Sequence, residues 1–193
     1  MGRKARICVP GYYYHITARG NRRDILFLDE EDFITFFYIL KKVNEIIPFE
    51  LVSYCVMSNH YHLQLKTEDG DLTKVMFHIN KRYATYFNNR YHLTGHVFEK
   101  RYFSGIITDA EGMLEVSRYI HSNPVEANIV AKPEEYLWSS FVHYESGVCS
   151  AEPYMNTDAL LEYFQGTLEE KRKLYCGYVK GEVPVTARDL SKE

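Results

Sequence analysis

The order of two hydrophobic periodicities along the first 126 residues limits the fold more than any other feature of this sequence. Segments with an apolar residue at every second position predict half-buried strands, and apolar residues three or four positions apart predict amphipathic helices. Each predicted helix begins at an aspartate, which commonly caps helices, and prolines end the first and third. The predicted strands are 12–19, 49–57, 60–67 and 101–108, and the predicted helices begin at Asp29, Asp71 and Asp109.

These elements follow one another as strand, helix, strand, strand, helix, strand and helix. This order predicts the ferredoxin-like split βαβ fold, an α+β architecture in which a mainly antiparallel sheet carries helices on one face. Ser58 and Asn59 are predicted to form the tight turn between the second and third strands. The other face of such a sheet remains available for a functional site.

The length of 193 residues favours one domain with a small appendage. We expect the domain to span 1–147, and a C-terminal extension with one helix over 158–178 and a loose tail to span 148–193. The sequence has no run of about 18 apolar residues and no cleavable signal pattern, so we expect a soluble, cytoplasmic protein. Its four cysteines are scattered without zinc-site spacing and are predicted to be reduced thiols.

The charges are unevenly distributed, although the net charge is only −3. The first 23 residues hold six basic residues and no acid, and 72–104 holds six basic residues and one acid. From residue 109 onwards, fifteen acids outnumber eight basic residues. This asymmetry favours a basic, phosphate-binding face on an otherwise acidic protein, although ordinary solvated charges would give the same counts.

Two histidines on the third predicted strand form the first candidate site. Since side chains alternate along a strand, His60 and His62 share one face while Tyr61 and Leu63 point into the core. Two imidazoles on one face can bind a single cation and leave coordination positions open for substrate oxygens, as a catalytic metal site requires. A pair of half-exposed strand histidines without a metal is the alternative interpretation.

The second candidate site lies at the end of the third predicted helix. Tyr119 and Asn123 are four residues apart and therefore share a face of that helix. A tyrosine hydroxyl is a covalent nucleophile in some enzymes but is protonated at neutral pH, so it needs an electrophile that a cation has polarised. The amide oxygen of Asn123 would complete the metal shell. Alternatively, Tyr119 is a core aromatic residue, one of 17 tyrosines, and Asn123-Pro124 only ends the helix.

Together, these segments resemble the single-tyrosine transposases of the HUH endonuclease superfamily, and most closely the REP-associated tyrosine transposases. The matching segments occur in the family's order over about residues 6–147 and read PGYYYHITARGNRRDILF, MSNHYHLQL, GHVFEKRYFS, RYIHSNPVEANIV and EEYLWSSFVHY. Two residues depart from the family's pattern. Tyr61 replaces a residue that is usually aliphatic or another bulky hydrophobe, and Glu126 stands where relatives often carry a DNA-contacting arginine.

The resemblance implies a transposase that cleaves single-stranded DNA beside a hairpin and transfers the strand, acting as a monomer or homodimer. The family's nucleophile, matched by Tyr119, forms a 5′-phosphotyrosine and leaves a free 3′-hydroxyl. His60 and His62 match the histidines that hold Mg²⁺ or Mn²⁺, and Asn123 falls where related transposases place a glutamine ligand. We predict sugar-phosphate contacts from six basic residues, namely Arg19, Arg22, Arg23, Lys81, Arg82 and Arg101.

Three other functions remain compatible with parts of this pattern. A domesticated DNA-binding protein descended from a transposase would keep the fold without cleaving DNA. An RNA-binding sheet protein shares the order of elements, but histidines occupy the strand face where stacking aromatics would be expected. A metal-dependent phosphoesterase would use the same cation without a covalent tyrosine step.

Overall fold

The computed structural model describes residues 8–148, 150 and 152–184. Its elements are β1 (Tyr13–Arg19), α1 (Glu30–Asn44), β2 (Glu50–Met57), β3 (His60–Lys66), α2 (Leu72–Tyr91), β4 (Phe103–Ile107), α3 (Ala110–Glu126), α4 (Phe141–Glu145), α5 (Asp158–Leu161) and α6 (Leu168–Lys180). Within the described residues, the strands form one sheet with the order β2-β3-β1-β4, and each neighbouring pair is antiparallel. The predicted ferredoxin-like α+β fold is therefore confirmed.

Successive side chains along β1 and β3 point to opposite faces of the sheet. Helices α1 and α2 pack on one face and cover the apolar side chains of both strands. Burial of each large apolar side chain contributes roughly 1.5–3 kcal/mol, so this layer fixes which residues face the helices. The buried strand residues are Tyr14, Ile16, Ala18, Tyr61, Leu63 and Leu65.

Two aspartates fix the beginning of α1. Asp29 accepts hydrogen bonds from the backbone N–H groups of Glu31 and Asp32, as expected of the predicted cap. The Asp32 side chain is fully buried, and its carboxylate accepts hydrogen bonds from Arg90 at 2.7 Å and from the Tyr91 hydroxyl at 2.8 Å. Loss of Arg90 would leave the buried Asp32 carboxylate without its cation, so this pair locks α1 to α2.

Helix α3 lies on the opposite face of the sheet, against β2 and β3. Asp109 caps it, as predicted, by accepting a hydrogen bond from the N–H of Gly112 at 2.7 Å. Ile120 packs with Cys55 and Met57 of β2. The prediction of helices on one face therefore describes α1 and α2, whereas α3 covers part of the second face and borders the part that stays open.

Buried His121 connects α3 to the C-terminal part of the chain. Its Nε2 lies 2.8 Å from the Ser140 hydroxyl, and its Nδ1 lies 2.8 Å from the Tyr175 hydroxyl of α6. Burial lowers the pKa of His121 to about 3, so the ring is neutral and donates one of these hydrogen bonds while accepting the other. The boundary at residue 147 stays a prediction, but α6 shares a core with α3.

The predicted end of α3 at Pro124 is wrong. The helix continues to Glu126, and the N–H of Ala127 still donates to the carbonyl of Asn123 at 3.0 Å. Proline lacks the N–H that would bond four residues back, but in the last turn this removes a single hydrogen bond. The proline therefore does not stop the helix where it stands.

The helix predicted over 158–178 is divided in two. Helix α5 ends at Leu161, and Gly166, whose φ of +106° is one that an L side chain rarely adopts, lies in the non-helical segment before α6. Thr167 then caps α6 together with Glu170 in a reciprocal capping box. The apolar periodicity that suggested one helix runs across this break.

Residues 1–7, Cys149, Ala151 and 185–193 lie outside the described residues, and most of the predicted tail falls among them. Cys8, Cys55 and Cys176 are free thiols, as predicted. Among the helices that the structure describes, none has both the length and the apolar character needed to span a bilayer.

We expect Tyr175→Phe to lower the free energy of unfolding by about 1–3 kcal/mol, because it leaves one nitrogen of buried His121 without a partner. Tyr38→Phe is the matched control, since Tyr38 is 58% exposed on α1. Urea unfolding followed by circular dichroism would measure both variants. Equal loss of stability in the two would contradict a structural role for the bond between His121 and Tyr175.

Candidate active site on the open face of the sheet

Strands β1 and β3 place polar side chains on the open face of the sheet. Their register pairs Thr17 with His62 and Arg19 with His60. The two histidines share this face, while Tyr61 between them is fully buried on the other, as the alternation of a strand predicts. His62 is buried and His60 half-buried, so both imidazoles form the floor of a pocket.

Helix α3 brings Tyr119 and Asn123 to the same place. The Tyr119 ring stands perpendicular to the His62 ring, with the ring centroids 5.4 Å apart. The side-chain oxygen of Asn123 lies 3.3 Å from Nε2 of His60. Asn123 is buried, whereas Tyr119 is 44% exposed, so the phenol is accessible to a large substrate while the amide lies beneath it.

Nε2 of His60 lies at hydrogen-bond distance from the Asn123 oxygen, and the tautomer of the ring decides whether this nitrogen donates or presents a lone pair. The amide nitrogen of Asn59 donates to the Arg23 carbonyl at 3.3 Å, which turns the amide oxygen toward Nδ1 of His60 at 2.7 Å. Nδ1 therefore carries the ring proton, and Nε2 presents a lone pair. This lone pair faces the Asn123 oxygen, which is also an acceptor. A cation bound by both atoms would satisfy them.

Two side chains of β1 hold His62. Its Nδ1 lies 3.0 Å from Nε2 of His15 and 3.0 Å from Oγ1 of Thr17. Burial, followed by the neighbouring imidazoles of His60 and His15, lowers the pKa of His62 to about 3. Burial also lowers the pKa of His15 and that of His60. All three rings are therefore neutral at pH 7, the form in which imidazole binds metal ions.

Two imidazoles and one amide oxygen form the candidate metal-binding set. Across the part of the chain that the structure describes, no three His, Cys, Asp or Glu side chains converge as a metal site, so the third donor here is Asn123. Imidazole nitrogen suits first-row divalent metals, and an amide oxygen suits harder ions such as Mg²⁺ and Mn²⁺. The donors of His60, His62 and Asn123 fit a divalent cation.

Basic side chains surround the mouth of this pocket, which has a volume of about 580 Å³. Arg19, Arg23, Lys100 and Arg101 line it, together with one carboxylate, Glu99. The guanidinium of Arg19 pairs with Glu99 at 2.6 Å and holds the pKa of that carboxyl below its usual value. The mouth is therefore positively charged, and one of its cations already has an anionic partner.

A tight turn after β1 presents two of the predicted arginines. Arg22 and Arg23 both have left-handed backbones, with φ of 55° and 67°, which is unusual for residues with a side chain. A Cβ on Gly20 would lie 2.1 Å from the Asp24 carbonyl oxygen, so only glycine permits this turn. Strained backbones of this kind cluster at ligand-binding sites.

Residues 8–123 match the sequence family described as Transposase IS200 like. This chain belongs to the IS200-like transposase family. A Haemophilus influenzae protein that bears the name REP-associated tyrosine transposase is 24% identical over 143 residues, which cover 67% of this chain and 78% of that protein. The solved structure of a REP-associated tyrosine transposase bound to a REP hairpin has a TM-score of 0.64 and 20% identity, over 81% of this chain and 93% of that chain. The two proteins therefore share a fold over most of the length of each chain.

The six basic residues predicted to contact DNA occupy two regions of this IS200-like transposase. Arg19, Arg23 and Arg101 line the pocket, and Arg22 is exposed on the adjoining turn. Lys81 and Arg82 instead line a separate groove of about 530 Å³ between α1 and α2. This groove lies on the solvent side of the helices that cover the other face of the sheet.

His15, Glu99 and Lys100 are among the pocket-lining residues of this transposase that sequence reasoning did not assign to the site. The alternation along β1 does place His15 on the polar face with Thr17, so that part of the signal was present. Which strand lies beside β1 was needed to bring His15 to His62. Glu99 and Lys100 precede β4 in an irregular segment that has no periodicity to orient them.

Proposed function

We propose that this IS200-like transposase cleaves single-stranded DNA beside a hairpin and transfers the strand through a covalent phosphotyrosine. The Tyr119 oxygen attacks the scissile phosphorus, the bond from phosphorus to the 3′-oxygen breaks, and the 3′-oxygen leaves as a hydroxyl with the proton that tyrosine gives up. The DNA end that carries the 5′-phosphate stays on Tyr119. Attack by a later 3′-hydroxyl on this ester rejoins DNA and releases the tyrosine without ATP.

The convergence of Tyr119, His60 and His62 in one pocket, with the side-chain oxygen of Asn123 3.3 Å from Nε2 of His60, is the observation that carries this proposal. Two of these side chains come from β3 and two from α3, so only the folded chain brings them together. The Tyr119 ring packs edge-on against His62, which limits the directions in which its hydroxyl can point. An accessible nucleophile beside neutral nitrogen and oxygen donors is the arrangement expected for metal-assisted phosphoryl transfer.

His60, His62 and Asn123 would hold the divalent ion, Mg²⁺ or Mn²⁺. Bound there, such an ion supplies charge withdrawal from the scissile phosphate and orients the leaving oxygen. The chain itself prepares the ligands: burial keeps both imidazoles neutral, and Asn59 holds the proton of His60 on the nitrogen that faces away from Asn123.

The mouth of the pocket would hold the DNA strand. Arg23, Lys100 and Arg101 supply cations for sugar-phosphate contacts, and Phe103, 55% exposed at the same mouth, offers a face on which an unpaired base can stack. A single strand suits this geometry because its phosphates and bases are both accessible to the pocket. The hairpin is proposed by analogy with the solved relative, whose structure contains a REP hairpin.

Lys81 and Arg82 would contact a different part of the substrate. Their groove also contains Lys42 and His78, and none of its lining residues is an aspartate or glutamate. The ammonium group of Lys81 lies 5.5 Å from the ring centroid of exposed Phe77, so a cation and an aromatic face are offered together. DNA held there would be separated from the scissile phosphate by the sheet and the helix layer.

We expect the wild-type protein, incubated with Mn²⁺ and a labelled hairpin that carries a single-stranded flank, to form a protein–DNA adduct that resists denaturant. Tyr119→Phe should lose the adduct because it has no hydroxyl to attack phosphorus, and a chelator should also prevent it. Tyr12→Phe is the matched control, since Tyr12 is 43% exposed but lies outside the pocket.

Cleavage by Tyr119→Phe would exclude the covalent mechanism and favour a hydrolytic phosphoesterase. If the wild type binds the hairpin with no adduct and no cleavage, the protein is instead a non-cleaving, domesticated DNA-binding protein.

We expect His60→Ala to abolish cleavage while the affinity for the hairpin changes little, because the ring belongs to the metal-binding set and most DNA affinity comes from phosphate contacts. Electrophoretic mobility shift and gel-based cleavage assays would measure the two effects separately. His96→Ala is the control and should cleave normally, since His96 is exposed and lies outside both the pocket and the groove between α1 and α2. Loss of folding in His60→Ala, seen by circular dichroism, would point to a structural histidine instead.

We expect Glu99→Gln to raise the affinity for single-stranded DNA about three- to tenfold at low salt, because it removes a carboxylate from the mouth and frees Arg19 for phosphate. The gain should shrink as salt rises. Glu169→Gln, which breaks a similar exposed ion pair with Lys173 on α6, should have no effect. Fluorescence anisotropy would measure both, and an unchanged affinity for Glu99→Gln would show that Arg19 does not contact DNA.

A further inference from the structure

We propose that His15 is a positioning residue for the metal ligand His62. Nε2 of His15 accepts a hydrogen bond from the Nδ1–H of His62. The lone pair on Nε2 of His62 is then left for the cation. This inference rests on the proposed metal site and assigns a role to a histidine on a different strand from the ligands.

The geometry singles out one nitrogen of His62. Nδ1 lies 3.0 Å from Nε2 of His15 and 3.0 Å from the Thr17 hydroxyl, so two side chains of β1 already occupy it. The His15 and His62 rings are stacked, with centroids 5.2 Å apart and planes inclined by 24°. Nε2 is therefore the atom of His62 that remains for a ligand in the pocket.

The proton count then gives His15 its role. A neutral imidazole carries one N–H, so a His62 ring that binds a cation through the lone pair of Nε2 must carry its proton on Nδ1. An N–H on Nδ1 needs an acceptor, and the lone pair on Nε2 of His15 supplies one. The Thr17 hydroxyl oxygen lies 3.4 Å from the same His15 nitrogen and 3.0 Å from Nδ1 of His62, so it can share the Nδ1 proton with His15.

The two metal-binding histidines thus have equivalent support from different elements. For His60, the amide oxygen of Asn59 accepts the Nδ1 proton at 2.7 Å. For His62, His15 takes that place. Partners of this kind fix the ring orientation and tautomer of a metal ligand, and their loss commonly weakens metal binding by about 10- to 100-fold.

His15 also contacts the candidate nucleophile. Its ring lies edge-on to Tyr119, with centroids 5.8 Å apart, and Tyr119 has a similar contact with His62 at 5.4 Å. The three rings therefore pack against one another, and His15 lies beside both the ligand and the nucleophile. A substitution that keeps an aromatic ring at position 15 preserves this packing and removes only the acceptor.

The test compares His15→Phe, which keeps a ring but has no acceptor, with His15→Gln, whose amide oxygen can stand near the position of Nε2. Isothermal titration with Mn²⁺ alone, without DNA, measures metal affinity. We expect His15→Phe to bind about 10- to 100-fold more weakly than the wild type, and His15→Gln to bind within about threefold of it. Thr17→Val should lose less, because His15 still accepts the proton.

A second measurement needs no metal. Long-range ¹⁵N–¹H spectra of the histidine rings in the metal-free protein report which nitrogen carries the proton. We expect His62 to be the Nδ1–H tautomer in the wild type and in His15→Gln, and to lose that preference in His15→Phe. Circular dichroism on each variant establishes that it is folded.

Three outcomes would overturn the inference: an Nε2–H tautomer for His62 in the wild type, equal Mn²⁺ affinity for His15→Phe and the wild type, or equal losses in His15→Phe and His15→Gln. Failure of the proposed metal site would look different. In that case the wild type itself would bind no Mn²⁺, or would bind it with an affinity that His60→Ala does not change.

Discussion

The pairing of β1 with β3 at the centre of the sheet is the interaction on which the rest of this transposase depends. One face of this ladder is apolar and lies under α1 and α2, so the hydrophobic core fixes its register. A slip of one residue would expose Ile16 or Leu63 and push imidazoles into the core. The positions of His15, Thr17 and His62 relative to one another therefore follow from residues on the opposite face, most of which do not line the pocket.

The pocket has two electrostatic layers. Its floor consists of neutral donors, because burial disfavours the charged form of each imidazole there. Its rim consists of arginine and lysine side chains that reach water, together with Glu99. A net charge of −3 for the whole chain is compatible with this, since phosphate binding responds to the local field. Under the proposed function, the floor would hold a divalent cation and the rim would contact the phosphates of DNA.

Much of the fold was predictable because strand alternation and helix capping are local. Asp29 and Asp109 cap helices as expected, and the His60–Lys66 strand begins where the turn at Ser58 and Asn59 predicted. Pro124 misled the prediction, because the effect of a proline depends on how much helix follows it.

The candidate site was predictable only in part. The roles of Tyr119, His60, His62 and Asn123 came from their resemblance to a family, and alternation along β3 placed the two histidines on one face. His15 was visible as a polar strand residue, but its contact with His62 depends on long-range strand pairing. Likewise, nothing local to Lys81 and Arg82 indicates that α2 turns them away from the pocket.

Helix α3 carries both the phenol and the amide one helical turn apart, while the two imidazoles belong to a strand. A helix turn is rigid on this scale, so Tyr119 and Asn123 cannot move independently relative to the sheet. The site thus has two halves, one carried by α3 and one carried by β3, and each half is held rigidly by its own element. His121 ties one of these halves to Ser140 and to Tyr175 of α6. Helix α6 therefore helps to hold α3 in its place beside the sheet, although no residue of α6 lines the pocket.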